Sequence, residues 1–206
     1  MRVLVACEFS GTVRDAFLDR GHDAVSCDLL PCESNRAYNR HYKGDVFDII
    51  GDGWDLMIAH PPCTYLAVSG LHWNKRYPDR AEKTDAAIQF VCKLLNAPIP
   101  RICVENPVGC ISTKIKKPTQ TIQPYDYGAN ASKRTCLWLN GLMPLIPTFR
   151  IDGRMVEWPR GSGKFVERWD NQTDSGQNNL SPGDDRWALR SITYPGIARA
   201  MSEQWG

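Results

Sequence analysis

The chain has 206 residues, a hydrophobic fraction of 42%, a charged fraction of 23% and a formal net charge of +2. That profile fits one ordinary globular domain with room for a substantial core. It excludes polyanion binding driven by overall charge, and no run approaches the roughly 20 apolar residues of a membrane-spanning helix.

Arg2-Val3-Leu4-Val5-Ala6 reads as a buried first strand. The apolar run is too short, and too soon interrupted by Glu8, to be a secretory leader, so a cytoplasmic protein is expected. "GTVRDAFLDRG" (11–21) places Val13, Phe17 and Leu18 on one helix face, and "HDAVSCDL" (22–29) returns to strand. A short third strand is expected before "GDVFDI" (44–49), and "WDLMIA" (54–59) is the fourth. In "DRAEKTDAAIQFVCKLLNAP" (79–98), Ala81, Thr84, Ile88, Val91, Leu94 and Leu95 recur at helical spacing, with Pro98 and Pro100 ending the helix. "RICVEN" (101–106) is the fifth strand. Strands separated by helices predict an α/β fold: a mostly parallel sheet with helices on both faces.

After residue 118 the character changes. "PTQTIQPYDYG" (118–128) and "KRTCLWLNGL" (133–142) read as extended segments, and "RMVEWPRGSGKFVERW" (154–169) as a hairpin. "DNQTDSGQNNLSPGDD" (170–185) is polar enough for a long surface loop or a segment ordered by a ligand. The final "RWALRSITYPGIARAMSEQW" (186–205) supplies a helix with Ile197, Ala200 and Met201 inward. One domain over 1–206 is expected, with a small β-rich insertion at 140–180.

Of the eight cysteines, Cys27, Cys92, Cys103 and Cys136 lie in apolar runs, where cysteine acts as a small hydrophobe. No Cys-x-x-Cys pair occurs and the four histidines form no ligand-spaced set, so no structural zinc is expected.

In open α/β sheets ligands bind beyond the carboxyl ends of the strands. Those positions hold Phe9, Ser10 and Gly11 after the first strand, Asp28 after the second, Asp45 after the third, Pro61, Pro62 and Cys63 after the fourth, and Glu105 and Asn106 at the fifth. An acid such as Asp28 is placed to accept from ribose hydroxyls. Pro61 and Pro62 hold a stiff backbone without amide hydrogens, so Cys63 is presented in a fixed direction, either as a small residue or as a reactive thiol.

In this order, "FSG", "CDL", "PPC" and "VENP" resemble the motifs of the DNA cytosine-C5 methyltransferase family. The resemblance covers roughly residues 3 to 140, with "DYGANASKRTCLWL" and "TYPGIARAM" echoing later motifs. It implies a Rossmann-like methyltransferase fold that uses S-adenosylmethionine. Phe9, Ser10, Gly11, Asp28, Asp45 and Pro61 would bind this donor. DNA is the implied partner, with a cytosine flipped out of the duplex. The chemistry explains the residues, because carbon 5 of cytosine is too weak a nucleophile until a thiolate, here Cys63, adds to carbon 6. A carboxyl, here Glu105, would give a proton to nitrogen 3 and needs a raised pKa to carry it. Asn106 would orient the base or the loop, and Arg134, or Lys133, would hold the base or a phosphate.

The chain departs from the family pattern at several places. The loop "FSGTVRD" is poorer in glycine, Thr64-Tyr65-Leu66-Ala67 replaces the usual Gln-Pro-Phe-Ser, and Pro107 replaces valine. Only Arg134 lies near the place of a paired-arginine motif, and "TYPGIA" keeps only Gly196 of a Gly-Asn pair. The recognition region shrinks to about forty residues. There Arg150, Arg154, Arg160, Lys164 and Arg168 alternate with Trp158 and Trp169: phosphate contacts and stacking platforms, or a solvated hairpin with core-facing tryptophans. Such compactness suits a phage-encoded enzyme, or one helped by a separate recognition partner. Two other readings stay open: an enzyme acting on a nucleotide, RNA or single-stranded DNA, and a non-catalytic binder of S-adenosylmethionine or nucleic acid.

Overall fold

Alternation along the strands decides the layers. In β1 (Arg2–Ala6), Val3 and Val5 enter one apolar core while Leu4 and Ala6 enter another, because successive side chains of a strand point to opposite faces. β4 (Leu56–Ala59) and β5 (Arg101–Pro107) divide in the same way, Ile58 and Cys103 to the first core and Met57 and Val104 to the second. Strands apolar on both faces need cover on both. α1 (Thr12–Asp19) contributes Val13 and Phe17 to the first core. Two single turns, α2 (Val68–Leu71) and α4 (Ile111–Lys114), flank the long α3 (Pro78–Leu95), whose Val91 and Leu94 fill the second core. α5 (Pro195–Trp205) joins α1 on the first face through Ile197, Met201 and Trp205.

The structure, a computed structural model, describes residues 1–36, 40–180, 183 and 191–206. With β2 (Asp23–Asp28), β3 (His41–Lys43), β6 (Gln120–Ile122) and β7 (Thr135–Asn140), the main sheet has seven strands in the order β3-β2-β1-β4-β5-β7-β6. Neighbours from β3 to β5 are parallel, and β7 runs antiparallel to both β5 and β6. This is a Rossmann-like α/β fold. The chain winds outward from β1 to β3 and then returns to lay β4 on the other side of β1, which opens a crevice at the carboxyl ends. A separate hairpin, β8 (Arg154–Glu157) with β9 (Phe165–Arg168), follows the sheet.

The expected elements are present with shifted ends. α3 starts at Pro78 and stops at Leu95, before the prolines thought to end it. The 133–142 segment is the reversed strand β7. α5 begins only at Pro195, where proline suits the first helical turn. The helix expected from residue 186, and the end of the polar 170–185 segment, fall largely outside the described residues. Among the described residues no helix is long and apolar enough to cross a membrane.

Candidate active site

The end of β4 makes the first cleft. The His60 amide still donates to the Ala6 carbonyl at 2.9 Å, but Pro61 and Pro62 have no N–H to continue a ladder. Pairing of β4 with β5 therefore stops at Ala59 opposite Val104. β5 runs on to Pro107 paired with β7 alone, placing Glu105 and Asn106 beside the gap. There the chain leaves a cavity of about 330 Å³ lined by His60, Cys63, Glu105, Asn106, Lys133 and Arg134. The predicted Cys63, Glu105, Asn106 and Arg134 thus share one wall system. Cys63 and Arg134 are exposed, and Glu105 and Asn106 are buried.

Asn106 Nδ2 donates to the Pro61 carbonyl at 2.7 Å, tying β5 to the Pro-Pro turn, while its Oδ1 is buried without a partner among the described residues. His60 Nδ1 lies 2.8 Å from Glu105 Oε2, with the two side chains only 9% and 10% exposed. Burial pushes the Glu105 carboxyl up, but the His60 hydrogen bond and the charges of His60 and Lys133 outweigh it and hold the carboxyl below its ordinary value. This corrects the expectation of a raised pKa: a basic group missed in the sequence, His60, sits on the acid. His60 belongs to no motif quoted above, and its only signal was its place at a strand end directly before Pro-Pro-Cys. Lys133 is the cation whose charge acts on Glu105.

A second cavity, of about 360 Å³, straddles the ends of β1 to β4 and shares the Pro61–Pro62 wall with the first. It is an apolar slot of Leu29, Val46, Leu66, Ala87 and Phe90 with the carboxylates of Asp28 and Asp45 on its lining. Asp28 Oδ1 accepts from the Leu30 amide at 2.9 Å and Asp45 Oδ1 from the Phe47 amide at 3.0 Å, which fixes both acids at their strand ends. Cys7 and Cys27 complete the slot as protonated thiols. Burial, reinforced by Asp28, raises both, Cys27 to about 12. Of the donor-binding residues expected from sequence, Asp28, Asp45 and Pro61 line this slot.

The other three stand elsewhere. Phe9, which is buried, and Ser10 line a cavity of about 40 Å³ beside His60. Gly11 lines none of these cavities: it caps α1 with φ +77°, and a Cβ there would come within 2.6 Å of Arg14 Nη2 and 2.9 Å of Ser34 Cβ. The glycine of "FSG" is thus required by the turn. Gly196 is likewise required by contact, since a Cβ would fall on the Tyr127 carbonyl oxygen.

The hairpin divides between the two readings. Trp169 is buried, stacked on Tyr125 with ring centroids 3.9 Å apart, and its Nε1 donates to the Ile151 carbonyl. Arg150 pairs with Asp126, Asp152 and Glu167, and Arg154 with Asp174. Trp158 is 40% exposed near the tip, with exposed Arg160 and Lys164. Asn171, Asn178 and Leu180 of the polar segment reach the wall of the Cys63 cavity.

Fold and site define a Rossmann-like α/β protein with an apolar, acid-bearing slot joined through two prolines to a thiol–carboxyl cleft. No family model matches the chain, and no curated protein matches it. Among solved structures it is similar to a prophage-encoded protein of E. coli described as a candidate DNA modification methyltransferase, at 15% identity and a TM-score of 0.40. The match covers 68% of this chain and 46% of the other, so the chain spans less than half of that protein's length. A likeness at this level carries no functional weight.

Proposed function

We propose that the protein is a DNA cytosine-5 methyltransferase that acts through Cys63. The observation that carries the reading is the shared Pro61–Pro62 wall, with a nucleoside-sized slot on one side and Cys63, Glu105 and Asn106 together on the other. The slot fits S-adenosylmethionine by its chemistry: Val46, Leu66 and Phe90 offer faces for a purine, and Asp28 and Asp45 accept from ribose hydroxyls and amino hydrogens. When bound, this donor supplies an electrophilic methyl group. Cys63, exposed at the rigid turn, adds its sulfur to carbon 6 of the pyrimidine. Glu105 faces nitrogen 3, Asn106 holds the turn through Pro61, and Arg134 contacts the base or a flanking phosphate. A duplex cytosine reaches this cleft only by flipping out. Trp158, Arg160 and Lys164 at the hairpin tip meet the nucleic acid.

The test is intact-mass analysis of the protein mixed with S-adenosylmethionine and DNA carrying 5-fluorocytosine, whose fluorine cannot be eliminated and so traps the methylated adduct. An adduct present in the wild type and absent in Cys63→Ser is the expected result. Donor binding without adduct on duplex, single-stranded or nucleotide substrates would instead make the protein a binder.

A further inference from the structure

We propose that His60 is a positioning residue that stores, beside Glu105, the proton that cytosine needs at nitrogen 3 when Cys63 adds. The inference rests on the pyrimidine-addition reading above and deepens it.

Three observations converge on the ring. Nδ1 is 2.8 Å from Glu105 Oε2. Nε2 is buried and has no hydrogen-bond partner among the described residues. The ring also lines the 40 Å³ cavity together with Glu8, Ser10 and Thr193. The cavity has room for water among polar neighbours at the side of the ring. The two nitrogens of an imidazole diverge, so Nε2 cannot turn to Glu105 while Nδ1 holds it. His60 thus acts on two buried carboxylates that differ in freedom, Glu105 through the Nδ1 hydrogen bond and Glu8 through its charge. Glu8 is spent on the start of α1, accepting from the Val13 amide at 2.6 Å and the Arg14 amide at 3.2 Å. Glu105 faces the cleft and can pass a proton on.

The arrangement resolves a difficulty in the site. A carboxyl held below its ordinary value is ionised at neutral pH and has no proton to give. The His60–Glu105 pair supplies one. As the sulfur–C6 bond forms, the C5=C6 pair becomes C4=C5 and the C4=N3 pair ends on nitrogen 3. The proton passes from Nδ1 to the carboxyl and from the carboxyl to nitrogen 3, leaving neutral imidazole beside a carboxylate. Reversal of this transfer accompanies release of the sulfur.

The test compares adduct formation by wild type, His60→Ala and His60→Asn on oligonucleotides carrying 5-fluorocytosine or 5-azacytosine. The ring nitrogen at position 5 makes carbon 6 of 5-azacytosine electron-poor, so addition there depends less on a proton at nitrogen 3. The expected result is a loss of about 100-fold or more on 5-fluorocytosine against less than about 10-fold on 5-azacytosine. His60→Asn, which can keep an N–H toward Glu105 but cannot release its proton, is expected to show the same split, and it decides the matter should the alanine variant fail to fold. Equal losses on both substrates would make His60 purely structural, and wild-type rates in His60→Asn would make it an orienting group only; either overturns the proposal. Absence of any adduct in the wild type would instead bring down the pyrimidine-addition reading, and this inference with it.

Discussion

Asn106 Nδ2 donates to the Pro61 carbonyl at 2.7 Å, so the strand carrying the acid also holds the turn carrying the thiol. The bond is buried, and removing the donor leaves a carbonyl unsatisfied away from water. Asn106→Ala is expected to cost about 1–3 kcal/mol, read as a lower urea midpoint with unchanged slope. Adduct formation at Cys63 should fall with it, because the Pro-Pro turn loses its tie to β5. A stable variant with wild-type adduct rate would show that the turn needs no such tie.

The Glu105 carboxyl gives a pH signature. Its pKa is pushed up by burial but held down, in net, by His60 and Lys133. A carboxyl depressed in the folded state binds fewer protons there than in the unfolded chain, so its contribution is present above the unfolded value, near 4.3, and is lost as pH falls through the folded one. Glu8 acts oppositely: burial raises its carboxyl against the charge of His60 and the amides of Val13 and Arg14. Comparing wild type with Glu105→Gln cancels Glu8 to first order. The gap in urea midpoint between the two is expected to narrow on acidification from pH 6 to 3. A gap that stays constant or widens would mean that His60 and Lys133 do not hold the carboxylate.

Much of the architecture was legible because the strands are short apolar runs separated by helical periodicity, and because Pro61, Pro62 and the Glu105–Asn106 pair mark strand ends. What stayed hidden depends on spatial neighbours. Nothing in the local sequence says that His60 and Glu105, 45 positions apart, meet at 2.8 Å, or that their meeting reverses the expected direction of the carboxyl's pKa. Gly11 looked like part of a ligand loop, yet its φ of +77° and its crowding by Arg14 are demands of the turn itself. Trp169 and Trp158 look alike in sequence; only Tyr125, distant in the chain, makes one of them core.

Thiol chemistry should single out Cys63 without reference to any substrate. Cys63 is exposed, whereas Cys27, Cys103, Cys110 and Cys136 are buried with their thiols pushed up chiefly by desolvation. Brief iodoacetamide treatment of the folded protein, followed by peptide mapping, is expected to label Cys63 well ahead of these four. Cys63→Ser should leave the unfolding free energy within about 0.5 kcal/mol of wild type, as substitutions at exposed positions usually do.

The apolar slot makes a separate claim about the donor. Asp28 and Asp45 are anchored by the amides of Leu30 and Phe47 through one oxygen each. Their other oxygens are the ones to accept from a ligand. A hydrogen bond to a charged group contributes about 1.5–3 kcal/mol, so Asp28→Ala is expected to weaken S-adenosylmethionine about 10-fold or more by calorimetry. Because the two cavities are distinct beyond the shared prolines, Cys63→Ser should leave that affinity nearly unchanged. Loss of donor binding in Cys63→Ser alone would mean that the cysteine, rather than the slot, supports the donor.

The hairpin separates stability from contact within one element. Trp169 is buried on Tyr125 and donates to Ile151, so Trp169→Ala should cost about 3–5 kcal/mol, a fall in melting temperature of about 6–20 °C. Trp158 sits 40% exposed beside Arg160 and Lys164, so Trp158→Ala should change stability by less than about 0.5 kcal/mol. The contact reading assigns to the same residue a base to stack on, and its loss should weaken oligonucleotide binding by about 1–3 kcal/mol. Arg160→Gln and Lys164→Gln should each reduce the salt slope of binding by about one where the side chain meets a phosphate. Arg150 and Arg154, already paired with carboxylates of the chain, should contribute less to that slope. Oligonucleotide affinity and salt slope unmoved by changes at Trp158, Arg160 and Lys164 would reduce the hairpin to a solvated appendage and place recognition elsewhere on the cleft rim.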